Sequence, residues 1–385
     1  MRHGMLFTIM ATLLLFTAVA CEREPLLHLY DEGNVDLELP VVDLDLQVYW
    51  DYEMSYGIHY DWRAEWFYGW DEEDKRIFGE MGYTAPNVFN LRRYYTGEHP
   101  NARHTSVLPA TVYGTHFRGS YDWGYWDILC WNQVVTIDGV QSLIFDEETS
   151  LDSVTARTNP GMQTARYQAP KYTRAFYEPE PLFAAYDPAI EINRNLDGFT
   201  FDSERNVWVR KLDMLLMPVT YIYLTQVILH HNRGRVVAVD GTSNFSGMAR
   251  STTLNTGVAG TDAITVNYYS RLKNGCMKHD EVVDIVGGRL LTFGICGINA
   301  NRIDRAEQVH DPNSHYMDLV MQFNNGMDST FVFDITSQVR QRYKGGVITV
   351  ELDMDTVPIP QRRGGSGFDT VVKDFEDGGT HEFEM

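Results

Sequence analysis

Val42-Asp43-Leu44-Asp45-Leu46-Gln47-Val48-Tyr49-Trp50 alternates apolar with mostly polar residues at a period of two. That is the pattern of a strand with one face in a core and the other toward solvent. Tyr125-Trp126-Asp127-Ile128-Leu129-Cys130-Trp131-Asn132 is a second β-prone run, closed by a turn former. The second half carries the same signal in cleaner form. Residues 219–229 and 235–239 flank the turn His230-His231-Asn232-Arg233-Gly234, and residues 315–323 and 330–335 flank Asn324-Asn325-Gly326. Ile264, Val266 and Tyr268 alternate, as do Ile348, Val350, Leu352 and Met354. Residues 336–343 are expected to form one short helix ending at Lys344-Gly345-Gly346. The fold class expected from these patterns is mainly β, in two sandwich-like domains.

Composition agrees with a globular body. Of 385 residues, 44% are apolar and 22% charged, which excludes a disordered or fibrous chain. The net charge is −21. Phosphate backbones repel such a surface, so nucleic acid is not expected as a partner.

The first residues give an address. Arg2 and His3 precede an uncharged run at 5–19, and Ala18-Val19-Ala20 stands directly before Cys21. A basic start, a short apolar stretch and a small-residue cleavage site make up a secretory signal, here residues 1–20. The run is shorter than the ~20 residues a membrane span needs. A Cys at this place has the look of a bacterial lipoprotein signal, with Cys21 as the lipidated residue; a plain signal peptide with an incidental Cys is the alternative. Glu22 and Glu24 resemble the acidic flank that carries Bacteroides-type lipoproteins to the cell surface. The expected location is therefore the outer membrane, reached through a lipid anchor and facing outward.

Five prolines, at 160, 170, 179, 181 and 188, make the stretch between 159 and 188 an extended loop. The expected division is an N-terminal sandwich over 21–195 with a tryptophan-rich insertion, and a C-terminal sandwich over 196–385. Residues 214–229 are expected to form one buried strand.

No residue pattern supports catalysis, a metal or a cofactor. Asp71-Glu72-Glu73-Asp74 is expected as a solvated turn. Asp353, Asp355 and Asp369 lack the spacing of a calcium loop. The pairs His230-His231 and His310/His315 lack metal-site spacing and are expected in surface loops. With Cys21 lipidated, Cys130, Cys276 and Cys296 remain; Cys276 and Cys296 are a candidate disulfide, three unpaired buried thiols the alternative. Trp62, Trp66 and Trp70 stand in an aromatic crowd with Phe67 and Tyr68. Exposed, they would form a ligand platform; buried, they would fill a core or a seam between domains.

Gly119-Ser120-Tyr121-Asp122, the strand ending at Asn132, Ser246-Gly247-Met248-Ala249 and Leu290-Leu291-Thr292-Phe293-Gly294 together resemble the Bacteroides-type fimbrillin-like lipoproteins, in a branch carried as a domain of unknown function. The resemblance covers most of the chain after the signal. It implies two transthyretin-like β-sandwich domains in tandem and a part in fimbriae or cell adhesion. The implied partners are other fimbrial subunits or host glycans. The tryptophan-rich stretch is a departure from that family. A carbohydrate-binding or glycan-processing surface lipoprotein is the alternative function.

Overall fold

The computed structural model describes residues 42–51, 53–54, 60–134, 136–137, 140–146, 151, 154–164, 172, 174–193, 195–361 and 380–383. The signal segment, Cys21 and Asp369 lie outside the described residues.

The first part of the chain forms β1 (Val42–Trp50), β2 (Val88–Gly97), β3 (Ser106–Tyr113), β4 (His116–Tyr121) and β5 (Gly124–Asn132). Shorter strands follow: β6 (Thr136–Ile137), β7 (Val140–Gln141), β8 (Leu143–Asp146), β9 (Thr155–Thr158), β10 (Gln163–Thr164) and β11 (Ala175–Tyr177). Then come β12 (Phe183–Ile192), β13 (Thr200–Asp202) and β14 (Val207–Pro218). The first sheet runs β3-β2-β5-β12-β14-β1-β4. β14 folds it into two layers, since its body pairs in parallel with β1 while Met217 and Pro218 pair with β12. Val42, Leu44, Leu46 and Val48 share the enclosed core with Phe89, Leu91, Trp126 and Ile128.

The alternation in β1 is realised as its period requires: the four apolar residues are at most 1% exposed. On the opposite face, Asp43 is held by Arg118 Nε (3.0 Å) and Ser120 Oγ (2.8 Å). β5 does not alternate because it is covered on both sides. Trp126, Ile128 and Cys130 enter the first core, whereas Leu129 and Trp131 enter a second with Val219, Phe293 and Cys296.

The later strands are β15 (Tyr221–His230), β16 (Val236–Val239), β17 (Thr242–Ala249), β18 (Ser251–Thr253), β19 (Ala263–Lys278) and β20 (Glu281–Thr292). β21 (Tyr316–Phe323), β22 (Asp328–Asp334), β23 (Gly346–Asp353) and β24 (Thr380–Phe383) complete the series. Their sheet runs β23-β15-β20-β19-β17-β21-β22-β24. The long β19 plays the part of β14: its first half pairs with β17, its second with β20. Gly288 allows the change of partner, because a Cβ there would stand 2.4 Å from the Tyr269 carbonyl oxygen. Tyr223, Val227, Leu290 and Ile348 of one layer share a core with Phe245, Val266, Leu319 and Phe333 of the other.

The protein is thus mainly β and built as sandwiches. The division expected at 195/196 falls between β12 and β14, both strands of the first sheet. Residues 214–229 are not one strand: β14 ends at Pro218 and β15 starts at Tyr221 in the other sheet. Proline offers no ladder N–H, and Val219 and Thr220 instead bind Leu182. Helices are short: α1 (Trp62–Glu65), α2 (Glu72–Phe78) and the expected α3 (Thr336–Gln341). Among the described residues, no helix is long and apolar enough to cross a membrane.

Candidate functional site

A cleft of about 720 Å³ is lined by the end of α2 and the residues after it, the turn at Gly161 and Met162, the run from β11 to β12, and strands β19 and β20. Its polar wall comes from Tyr177-Glu178-Pro179-Glu180-Pro181. Each glutamate precedes a proline, which biases both toward extended backbone. Two residues apart on an extended run, they stand ~6–7 Å apart at Cα and project to the same side.

Their surroundings differ. Glu178 Oε2 accepts the Leu291 N–H at 2.8 Å, and Arg289 Nη1 lies 3.9 Å away. Burial raises the Glu178 carboxyl above its ordinary value, with Arg289 and the Leu291 N–H acting against that rise. Burial raises Glu180 as well, against Arg289 alone. Arg289 is fixed by its Nε bond to the Met81 carbonyl at 3.0 Å. Tyr177 and Tyr269, 44% and 54% exposed, add aromatic surface to a cleft that Phe78 and Leu291 also line.

The tryptophans do not make an exposed platform. Trp62 is buried with Ile222, Leu224, Leu291 and Val347, and Trp66 packs beside it. Trp70 lies against Phe78 and donates its indole N–H to Gly79. The cause is the outer face of β15, where Ile222, Leu224 and Ile228 need a cover that residues 60–83 provide. Gln226, fully buried, pins that cover: its Oε1 accepts the N–H groups of Phe67 (3.0 Å) and Tyr68 (3.3 Å), and its Nε2 donates to Glu65 O at 2.7 Å.

Asp71-Glu72-Glu73-Asp74 opens α2 through a capping box and is not a solvated turn. Asp74 is fully buried, bound by Arg271 Nη1 (2.7 Å), Lys273 Nζ, the Tyr68 hydroxyl (3.0 Å) and the Asp71 N–H (2.9 Å).

The candidate disulfide is not formed, and the alternative of unpaired thiols holds. Cys276 pairs across the β19–β20 ladder with Val283, whereas Cys296 follows the far end of β20. The nine steps along the strand from Val283 to Thr292 run ~30 Å, and a disulfide needs Cα atoms within ~7 Å. Cys130, Cys276 and Cys296 are all free.

His315 is buried and not in a surface loop, bound through Nε2 to Asp311 at 2.5 Å and through Nδ1 to Ser246 O at 3.2 Å. Cys296 is close by in the fold, its Sγ 3.9 Å from Gly247 O. This is not a nucleophile with its base: burial pushes the thiol up to about 12, and both imidazole nitrogens are occupied. His231, Asp353 and Asp355 converge at the surface, but Arg233 and Arg235 already stand 3.4 and 3.8 Å from Asp355.

Fold and cleft together define a β-sandwich protein with a polar, aromatic-rimmed recess. No family model matches the chain, and no curated protein matches it by sequence. Among solved structures it is similar to a candidate adhesin from Bacteroides ovatus, at 12% identity over 85% of this chain and 98% of that one, TM-score 0.45. It is similar also to a candidate adhesin from Bacteroides thetaiotaomicron (11% identity, 75% and 79% covered, TM-score 0.42). The fimbrial anchor protein Mfa2 from Porphyromonas gingivalis is a third (14% identity, 81% and 90% covered, TM-score 0.39). Likeness at this level does not assign an activity.

Proposed function

We propose that the protein is a surface lipoprotein, lipidated at Cys21 in the outer membrane, that acts as a fimbrial or cell-adhesion component through contact and not through chemistry. Its partners in this reading are other fimbrial subunits. The observation that carries it is the edge of the second sheet. β24 adds to β22 in parallel over only four residue pairs, Thr330 with Thr380 to Phe333 with Phe383. A short terminal strand on an open edge is exchangeable for a strand from a neighbour, because main-chain hydrogen bonds supply most of the contact.

Deleting residues 364–385 tests this. The truncated chain should melt at a lower temperature and should take up a peptide of residues 376–385 added in trans. Unchanged melting, or no uptake of the peptide by a folded truncated chain, removes the support. Palmitate labelling that is lost on Cys21→Ser tests the anchor, and an unlabelled wild-type product overturns it.

A further inference from the structure

The cleft is independent of the β22 edge. Its strands β19 and β20 are separated from β22 by β17 and β21 in the sheet order. The protein uses its polar groups only in part. Among the described residues, no hydrogen bond to the Glu180 carboxyl is formed, and Glu178 uses one oxygen on Leu291. Tyr177 and Tyr269 are far more exposed than the tyrosines that fill the cores.

A ligand for this recess must satisfy three conditions. It must offer donors to two carboxyl groups on one wall and an acceptor to Arg289. It must present a flat C–H face to a tyrosine ring. It must also be elongated, because Phe78 and Tyr269 line both this cleft and an adjoining groove of about 370 Å³. Sugar rings meet all three, since each hydroxyl donates and accepts and the axial C–H faces stack on aromatic rings. A cationic peptide meets the first condition poorly, because Arg289 already stands among the carboxyls. The volume lies in the range of small-ligand sites.

We infer that the cleft bounded by Tyr177, Glu178, Glu180, Tyr269 and Arg289 is an oligosaccharide-binding site, with Glu180 and Arg289 bonding hydroxyls and Tyr269 stacking on a sugar ring. The chain binds its sugar without turnover.

The test uses the mature chain without its lipid, residues 22–385, titrated calorimetrically with cellohexaose, xylohexaose, mannohexaose, maltohexaose and laminarihexaose. At least one should bind with a millimolar or lower Kd. Glu180→Gln and Tyr269→Ala should each weaken it about tenfold with unchanged melting. Tyr113→Ala, at an 81% exposed position on β3, should leave it unchanged. Absence of binding by all five sugars overturns the inference, as does binding that survives both substitutions. Binding of a lysine-rich peptide in place of every sugar, or release of reducing ends, overturns it too. Truncation of residues 364–385 should not alter sugar binding, so failure of the assembly reading leaves this result separate.

Discussion

The ring of Tyr68 lies directly on Gly287: a Cβ at that glycine would stand 2.4 Å from Tyr68 Cδ2 and 2.5 Å from Cγ. The ring cannot simply swing away, because its hydroxyl is bonded to the buried Asp74 at 3.0 Å and its N–H to Gln226. Gly287→Ala should therefore destabilise the chain by about 1–3 kcal/mol, the usual cost of overpacking. Denaturant unfolding measures this, and tryptophan emission should shift to the red as Trp62 and Trp66 lose cover. An unperturbed midpoint would mean that residues 60–83 do not rest on β20.

Asp74 is the electrostatic half of the same attachment. Asp74→Ala leaves Arg271 and Lys273, 26% and 11% exposed, facing each other without their shared carboxylate. Removing one partner of a buried ion pair costs about 3–5 kcal/mol. The expected loss lies toward the lower figure, since Asp71 still stands 3.3 Å from Arg271 and 3.1 Å from Lys273. Chemical denaturation of the single variant and of Asp74→Ala/Asp71→Ala checks it: the double variant should lose more than the single one.

Much of the fold is legible in the sequence because burial on one side of a strand writes a period of two. β1, β21 and β23 are examples, each with apolar residues on the inner face. Strands covered on both sides carry no such period, and β15 is the clearest case. Its inner residues reach the main core while Ile222, Leu224 and Ile228 meet the tryptophan crowd. The seam between crowd and strand joins residues more than 150 positions apart, as in the Tyr68–Gln226 bond, so no local pattern announces it. The cleft was hidden for a related reason. Glu178 and Glu180 look like acids in a proline-rich loop, and Arg289 like one charge in an apolar strand. The signal that was present is the alternation of glutamate with proline, which fixes two carboxyls on one side.

His230 predicts a pH dependence. Burial opposes its charge, but hydrogen bonds from Nδ1 to Glu281 (3.0 Å) and from Nε2 to Glu351 (2.8 Å) outweigh that and raise it above its ordinary value of 6.5. A group whose folded value exceeds its unfolded one stabilises fully below the unfolded value. That contribution is present below pH 6.5 and fades as pH rises through the raised folded value. His230→Gln should lower the melting temperature at pH 6 and have less effect at pH 9. Equal effects at both would mean that the imidazole does not carry a proton between the two glutamates.

The cysteines allow a last and simple measurement. The non-lipidated chain over residues 22–385 has three cysteines, because Cys21 is the fourth. All three are free, so denatured, unreduced protein should titrate three thiols with a disulfide reagent. In the folded state the rates should separate. Cys130 is fully buried and its thiol is raised by burial, while Cys276 is partly exposed near the end of β19. Cys276 should react first, though slowly at neutral pH, because burial raises its thiol too and Lys273 offsets this only in part. Two thiols fewer in the denatured titration would show a bridge. Were it Cys276–Cys296, the two would have to be brought together across the length of β20, a rearrangement that the pairing of Tyr221–Leu229 with Asp284–Thr292 does not permit.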